Sequence, residues 1–255
     1  MTTKLSDLVP NSVKTVFKKK TNLLIAIEGI DGVGKNTQAT LLAKALKEEF
    51  GDCGFFSFPR YETPTGRRVR EYLDGKHDTL NLLSRAKLYS DDRLAAREEI
   101  LDLLYRGHNV VCDRYVASNL AFQVAIAQLE MPDTDYAYRV RDYIQRLEYS
   151  VNMLPIPDIT FVLNVDVATS EKMVAERYKN TTTLRDKHEA NTKLLELSHQ
   201  IYRKMVADSP KTHHEIICNN ADGTIRTRED IHAEILSIVK MKQTPRAKGV
   251  FGFAG

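Results

Sequence analysis

Residues 23–37 read Leu-Leu-Ile-Ala-Ile-Glu-Gly-Ile-Asp-Gly-Val-Gly-Lys-Asn-Thr, and no other stretch restricts the fold as tightly. Leu23 to Ile27 is a short apolar run of the kind that forms a strand buried on both faces. Gly29, Gly32 and Gly34 then allow backbone angles that turn several N–H groups toward one hollow. Lys35 opens a helical pattern whose positive end points into the same hollow. Backbone donors, a helix terminus and an ammonium converge there, which suits a polyphosphate. The spacing is G-x-x-x-x-G-K, normally followed by Ser or Thr; here Asn36 takes that place. An Asn carbonyl is a weaker magnesium ligand than a hydroxyl, though it can hold a coordinated water. Thr37 carries a hydroxyl, but its side chain leaves the helix about 100° away from that of Asn36. The candidate phosphate-binding segment is Gly29, Ile30, Asp31, Gly32, Val33, Gly34, Lys35, Asn36 and Thr37. A plain strand-to-helix turn with a surface lysine is the alternative.

Downstream, strands and helices alternate. Leu41, Leu42, Ala45, Leu46 and Phe50 recur at helical spacing. Phe55 to Phe58 reads as a second strand that Pro59 stops, because proline cannot donate to a ladder. Arg67 to Leu73 is expected as a short helix and Leu80 to Arg106 as one long helix. On the latter, Leu83, Ala86, Tyr89, Arg93 and Ala96 share a stripe. An arginine on such a face is either a paired buried charge or a group reaching into a pocket floored by Tyr89. Asn109 to Cys112 is a third strand, followed at once by Asp113-Arg114-Tyr115. In an open parallel sheet ligands sit outside the carboxyl ends of strands, so this carboxylate and guanidinium fall where phosphate and metal are handled. Val116 to Glu130 reads as a helix with Ser118, Asn119, Phe122 and Gln123 in its first turns. Thr134 to Val151 reads as another, with Val140, Ile144, Leu147 and Val151 on one side.

Ile159 to Val165 is a fourth strand and Glu215 to Cys218 a fifth; helices fall at about Ser170 to Tyr178, from Leu194 to Met205, and after a Thr227–Asp230 cap. Between them, residues 179–189 are too polar to bury and form either a lid over substrate or a solvated connector. Residues 1–21 read as an N-terminal extension, 22–240 as the folded domain with its lid at about 177–189, and 241–255 as a basic tail. The expected class is α/β: a P-loop NTP hydrolase-type three-layer fold, a five-stranded parallel sheet with helices on both faces and a short lid.

Net charge is only +3, from 37 basic and 34 acidic residues, so no global field marks a nucleic-acid binder. No apolar run approaches a membrane span, and the first twenty residues lack the apolar core of a secretion signal. Cys53, Cys112 and Cys218 have no metal-ligand spacing and read as thiols of a reducing compartment. The expectation is a cytoplasmic protein with no nucleic-acid or membrane partner.

Taken in order, the phosphate loop, Phe58-Pro59-Arg60-Tyr61, Tyr89 with Asp92-Arg93, Asp113-Arg114-Tyr115 with Ser118-Asn119, and Arg185-Asp186 with Glu189 resemble the thymidylate kinase family over roughly residues 23–240. The resemblance implies phosphoryl transfer from ATP to dTMP, with Mg²⁺ and a homodimer. It implies that Lys35 and the loop backbone hold ATP and that Asp31 lies near the dTMP phosphate and sugar hydroxyl. Phe58 and Tyr89 would pack around thymine, with Tyr61 in the same site. Arg93 and Asn119 would hydrogen-bond the base, and Arg60 and Arg114 would grip the acceptor phosphate beside Ser118. Asp186 and Glu189 would line the acceptor site from the lid, and residues around Asn219 to Gly223 would frame adenine. Asp31, Asp113 and Glu189 are the implied metal ligands. Lys179 or Arg185 would be the lid cation that joins Lys35, Asp31 and Arg114 in catalysis. Three positions depart from the pattern: Asn36, Phe122 where a tyrosine is common, and His188 where an aromatic is common. Two alternatives stand beside this one: a deoxynucleoside kinase, and a nucleotide-binding regulator without transfer activity.

Overall fold

A computed structural model of the chain describes residues 22–243 except 77–78, 133 and 180–190. Five strands form one parallel sheet in the order β2-β3-β1-β4-β5. They are β1 (Leu24–Glu28), β2 (Cys53–Ser57), β3 (Asn109–Asp113), β4 (Ile159–Asn164) and β5 (His213–Ile217). Every residue of β1 and β3 is buried, so helices cover both faces of the sheet centre. The edge strands β2 and β5 carry mixed burial, as their sequences suggest.

The helices are α1 (Lys35–Phe50), α2 (Pro64–Leu73), α3 (Leu82–Leu94), α4 (Arg97–Tyr105), α5 (Val116–Glu130), α6 (Thr134–Gln145), α7 (Val167–Tyr178), α8 (Thr192–Asp208) and α9 (Arg228–Gln243). α1 packs on β1, β2 and β3 and against α9; α5 packs against α3, α6 and α8. A continuous core runs from Leu24, Ile25 and Ile27 through Val111 and Phe161 to Leu42, Ala125 and Tyr202.

Several boundaries differ from the sequence expectation, each for a physical reason. The long helix expected over residues 80–106 is two helices, α3 and α4, parted at Ala95 and Ala96. Both alanines favour helix, so local propensity does not mark the break. Ala96 N–H instead donates to Arg93 O at 3.0 Å, tightening the last turn of α3. α2 starts at Pro64 rather than Arg67, because the Thr63 hydroxyl caps it by accepting from Gly66 N–H at 3.1 Å. Beyond α6 the chain continues as a π-helical turn, Arg146–Val151. The buried stripe there is Val140, Ile144 and Glu148, while Val151, expected on that side, is 68% exposed. β5 begins at His213, two residues before the apolar run, because it pairs with β4 from Thr160 onward. The Thr227 cap holds: its hydroxyl oxygen accepts from Asp230 N–H at 3.1 Å. α9 runs three residues past 240, into the span read as tail.

Register positions the site. Ile27 pairs with Asp113, and Ser57 pairs with Asp113 from the other side. β1 lies between β3 and β4, so the chain leaves it toward one side of the sheet and later returns on the other. The loops after β1 and β3 therefore flank the crevice at the carboxyl edge where α/β sheets bind ligands.

Candidate active site

The loop after β1 wraps the N-terminus of α1. Gly29 and Gly32 sit at φ +140 and +82, where a side chain is strained. A Cβ on Gly29 would meet Leu163 O at 2.8 Å, and one on Gly32 would meet Ser170 O at 2.9 Å. The loop is thus pressed against β4 and α7, and the Ser170 hydroxyl fastens it by donating to Asp31 O at 2.5 Å. Gly34 caps α1 in the left-handed region, and Ile30 and Val33 anchor the loop in the core.

Lys35 folds back into this loop. Its Nζ donates to Ile30 O at 2.5 Å and lies 4.0 Å from Asp31 Oδ1. Burial pushes its pKa down to about 8; the charge of Arg114 adds to that, and Asp31, Asp113 and Glu28 oppose it. A buried ammonium with this little compensation favours an incoming anion.

Arg114 enters from the loop after β3, with its backbone at φ +64. A non-glycine residue holds that conformation only where its surroundings fix it, and such residues cluster at functional sites. Here Arg114 N–H donates to Ile27 O at 3.0 Å. Its guanidinium pairs with the Asp31 carboxylate, donates to Ser118 Oγ at 3.2 Å, and lies over the Phe122 ring at 5.6 Å. Asp31 raises its pKa against the lowering effect of burial, so it is a cation at every relevant pH.

Asp113 accepts at one oxygen from Asn36 Nδ2 at 3.0 Å and Ser57 Oγ at 2.9 Å. The departure at Asn36 therefore has a structural use: its amide links the start of α1 to the end of β3.

These groups open onto one cavity of about 640 Å³. Asp31, Gly32, Gly34, Lys35, Asn36 and Thr37 line one end of it, and Phe58, Tyr61, Tyr89 and Phe122 supply aromatic walls. Asp113, Arg114, Ser118, Asn119 and Arg93 line it too, so most of the sequence candidates share one space. Arg93 is both things the sequence left open. It is a buried paired charge, bonded twice to Glu148, and it also faces the cavity.

Two charged candidates among the described residues, Arg60 and Lys179, stand off the cavity wall. Arg60 is absent from the cavity wall; its Nη2 donates to Asp92 O at 2.9 Å and its Nε is 3.4 Å from Asp92 Oδ1. Lys179 is 63% exposed at the end of α7 and paired with Glu176. Arg185, Asp186 and Glu189 lie outside the described residues, as does His188. The segment after β5 forms a short turn, with an Asn219–Ile225 bridge and Asn220 N–H donating to Thr224 O at 2.7 Å.

Sequence reasoning gave no role to three residues. Glu28 ends β1 fully buried and reads as one more strand position. Its carboxylate accepts from Tyr115 N–H at 2.7 Å, Ser118 N–H at 3.3 Å, Ser118 Oγ at 2.6 Å and Tyr202 OH at 3.1 Å. It thereby holds the Arg114 turn and α8 in one network. Gln123 lines the cavity, and both polar atoms of its buried amide lack a partner among the described residues. Burying such a group without a partner is costly, which marks it as a group waiting for ligand. Its spacing from Asn119, one helical turn, was the available signal. Glu148 is the third.

The family model for thymidylate kinase matches residues 27–231. A probable thymidylate kinase from Methanocaldococcus jannaschii is 30% identical over 221 residues, covering 86% of this chain and 96% of that protein. A thymidylate kinase from Mycobacterium tuberculosis is 31% identical over 190 residues, covering 72% of this chain and 86% of that protein. The structure of the thymidylate kinase from Candida albicans superposes with a TM-score of 0.66 at 23% identity, covering 87% of this chain and 92% of that one. That likeness bears on the fold.

Proposed function

The chain belongs to the thymidylate kinase family, and on that premise we propose how its own residues carry a phosphoryl group from ATP to dTMP. The reading rests above all on one observation: Lys35 and Arg114 reach the same cavity from different loops, with Asp31 between them.

Phosphoryl transfer needs alignment and compensation of charge more than covalent help. Lys35, the loop N–H groups and the N-terminus of α1 take the ATP phosphates. Arg114 takes the acceptor phosphate, exchanging part of its Asp31 contact for it. Phe122 buttresses the guanidinium and limits room beside the sugar. Phe58 and Tyr89 enclose the base, and Arg93, Asn119 and Gln123 give it polar contacts. The acceptor is already an anion, so no general base is required. The third cation is Lys179 or Arg185, carried in by lid closure that also excludes water. Arg60 assists the acceptor phosphate only if it leaves Asp92.

Magnesium fits the donors at the phosphate end. Among the described residues no cluster of three or more acidic, His or Cys groups exists to cage a metal. Asp31 and Asp113 nonetheless line the same cavity, and Mg²⁺ is usually held by one or two carboxylates, phosphate oxygens and water. Those two residues, with Glu189, would hold it. When bound, it would offset charge on the phosphate oxygens.

The protein is read as cytoplasmic and dimeric. The three cysteines are free, which suits a reducing compartment. No described helix is long and apolar enough to cross a membrane. Tyr138, Val151 and Met153 leave apolar surface around residues 134–153 for a second copy.

A coupled assay for ADP tests the function. Release with dTMP, and little with thymidine, CMP or AMP, is expected. Turnover of thymidine instead would favour a deoxynucleoside kinase, and ATP binding without any transfer would favour a regulator.

A further inference from the structure

Glu148 occupies a place that the sequence pattern gives to an apolar side chain. It follows Val140 and Ile144 on the inward stripe, on the π-helical turn, and is fully buried. Such turns are often found at functional sites. Its Oε1 accepts from Asn119 Nδ2 at 2.9 Å and from Arg93 Nη2; its Oε2 accepts from Arg93 Nε at 3.2 Å. The turn is tied to α3 as well, because Asn152 Nδ2 donates to Ser90 Oγ at 2.8 Å.

Asn119 is thereby fixed in one orientation. Its amide nitrogen faces the Glu148 carboxylate and, at 3.0 Å, the carbonyl of Ala86. Neither group has a hydrogen to give. An amide oxygen turned that way would meet two acceptors, so the nitrogen must take the position. Asn119 Oδ1 is then left buried, without a partner among the described residues, on a side chain that lines the cavity. Arg93 is held beside it. Its Nε and Nη2 are engaged by Glu148, which leaves Nη1 donors on a residue of the same wall.

We propose that Glu148 is a positioning residue for base choice, because it fixes Asn119 to present an acceptor and Arg93 to present a donor at the base end of the cavity. An acceptor beside a donor matches a ring N–H next to a ring carbonyl, as in a 2,4-dioxopyrimidine. Cytosine offers the reverse, a ring nitrogen lone pair beside an amino group, so its acceptor would face the Asn119 acceptor and its donor the Arg93 donor. This inference rests on the dTMP reading of the cavity and names what sets its selectivity.

The test is the ratio of kcat/KM for dTMP over dCMP. E148Q replaces one carboxylate oxygen with an NH₂ donor, which lets Asn119 turn its oxygen inward and show nitrogen to the base. The ratio is expected to fall at least tenfold in folded E148Q, through loss on dTMP. A merely structural role would lower both substrates by one factor and leave the ratio alone; an unchanged ratio overturns the inference. Should E148Q fail to fold, wild-type protein supplies the readout: N3-methyl-dTMP is expected to bind at least tenfold more weakly than dTMP, and equal binding overturns the inference. Wild type that phosphorylates neither monophosphate would sink the functional reading itself. Wild type that discriminates, with a folded E148Q that discriminates equally, would sink this inference alone.

Discussion

Arg114 and Asp31 form an ion pair across the mouth of the cavity, joining the loop after β3 to the loop after β1. Both side chains are largely buried, and Arg114 adds Ser118 Oγ and the Phe122 face to its supports. A guanidinium held this way is aimed before any ligand arrives.

Arg114→Ala is therefore expected to lower kcat by roughly 10²- to 10³-fold, the usual scale for losing one preorganised charge donor. Circular dichroism should show the fold intact. Near-normal turnover would remove Arg114 from the role assigned to it.

Lys35 carries a pH signature. Its folded pKa of about 8 lies below the ordinary 10.5. On the role proposed for it, ATP phosphates bind the ammonium form, so ATP affinity should weaken as pH rises through about 8. Calorimetric titration on either side of that value reads it directly. The sign for folding is opposite. Between about 8 and 10.5 the unfolded chain holds more protons on this amine than the folded one, so burial of Lys35 opposes folding below that window. That penalty fades as pH rises. Lys35→Met should abolish the pH step in ATP binding.

Asn36 ties α1 to β3 through Asp113. In Asn36→Thr that bond is exchanged for a hydroxyl able to ligate magnesium. The magnesium concentration giving half-maximal rate should fall severalfold; a rise would mean that Asn36 itself serves the ion better.

Glu28 takes hydrogen bonds from Tyr115, from Ser118 twice and from Tyr202. Glu28→Ala leaves these buried donors unmet, at about 1–3 kcal/mol for each group left without a partner. Urea denaturation should show a loss of at least about 3 kcal/mol. A loss under about 1 kcal/mol would show that the network carries little stability.

What could be read in the sequence was what local chemistry encodes. The glycine and lysine spacing at 29–35 marked the tight loop between β1 and α1, because backbone freedom and charge act within a few residues. Asp113 and Arg114 were legible because they follow an apolar strand directly. Glu28, Gln123 and Glu148 were not. Glu28 and Glu148 sit where strand or helix periodicity asks for an apolar group, and long-range partners reveal them: Tyr202 for Glu28, and Arg93 with Asn119 for Glu148; Gln123 had only its one-turn spacing from Asn119 until the cavity gave it a place. The break at Ala95–Ala96 escaped for the same reason, since two good helix formers carry no stop signal.

The central claim is that one cationic cavity joins two nucleotides end to end. ADP release from ATP, followed in the purified protein with dTMP, thymidine, CMP and AMP in turn, tests it most directly. The account predicts rapid release with dTMP and near-background release with the other three. Release with thymidine or AMP above that with dTMP, or none with any acceptor, would contradict it.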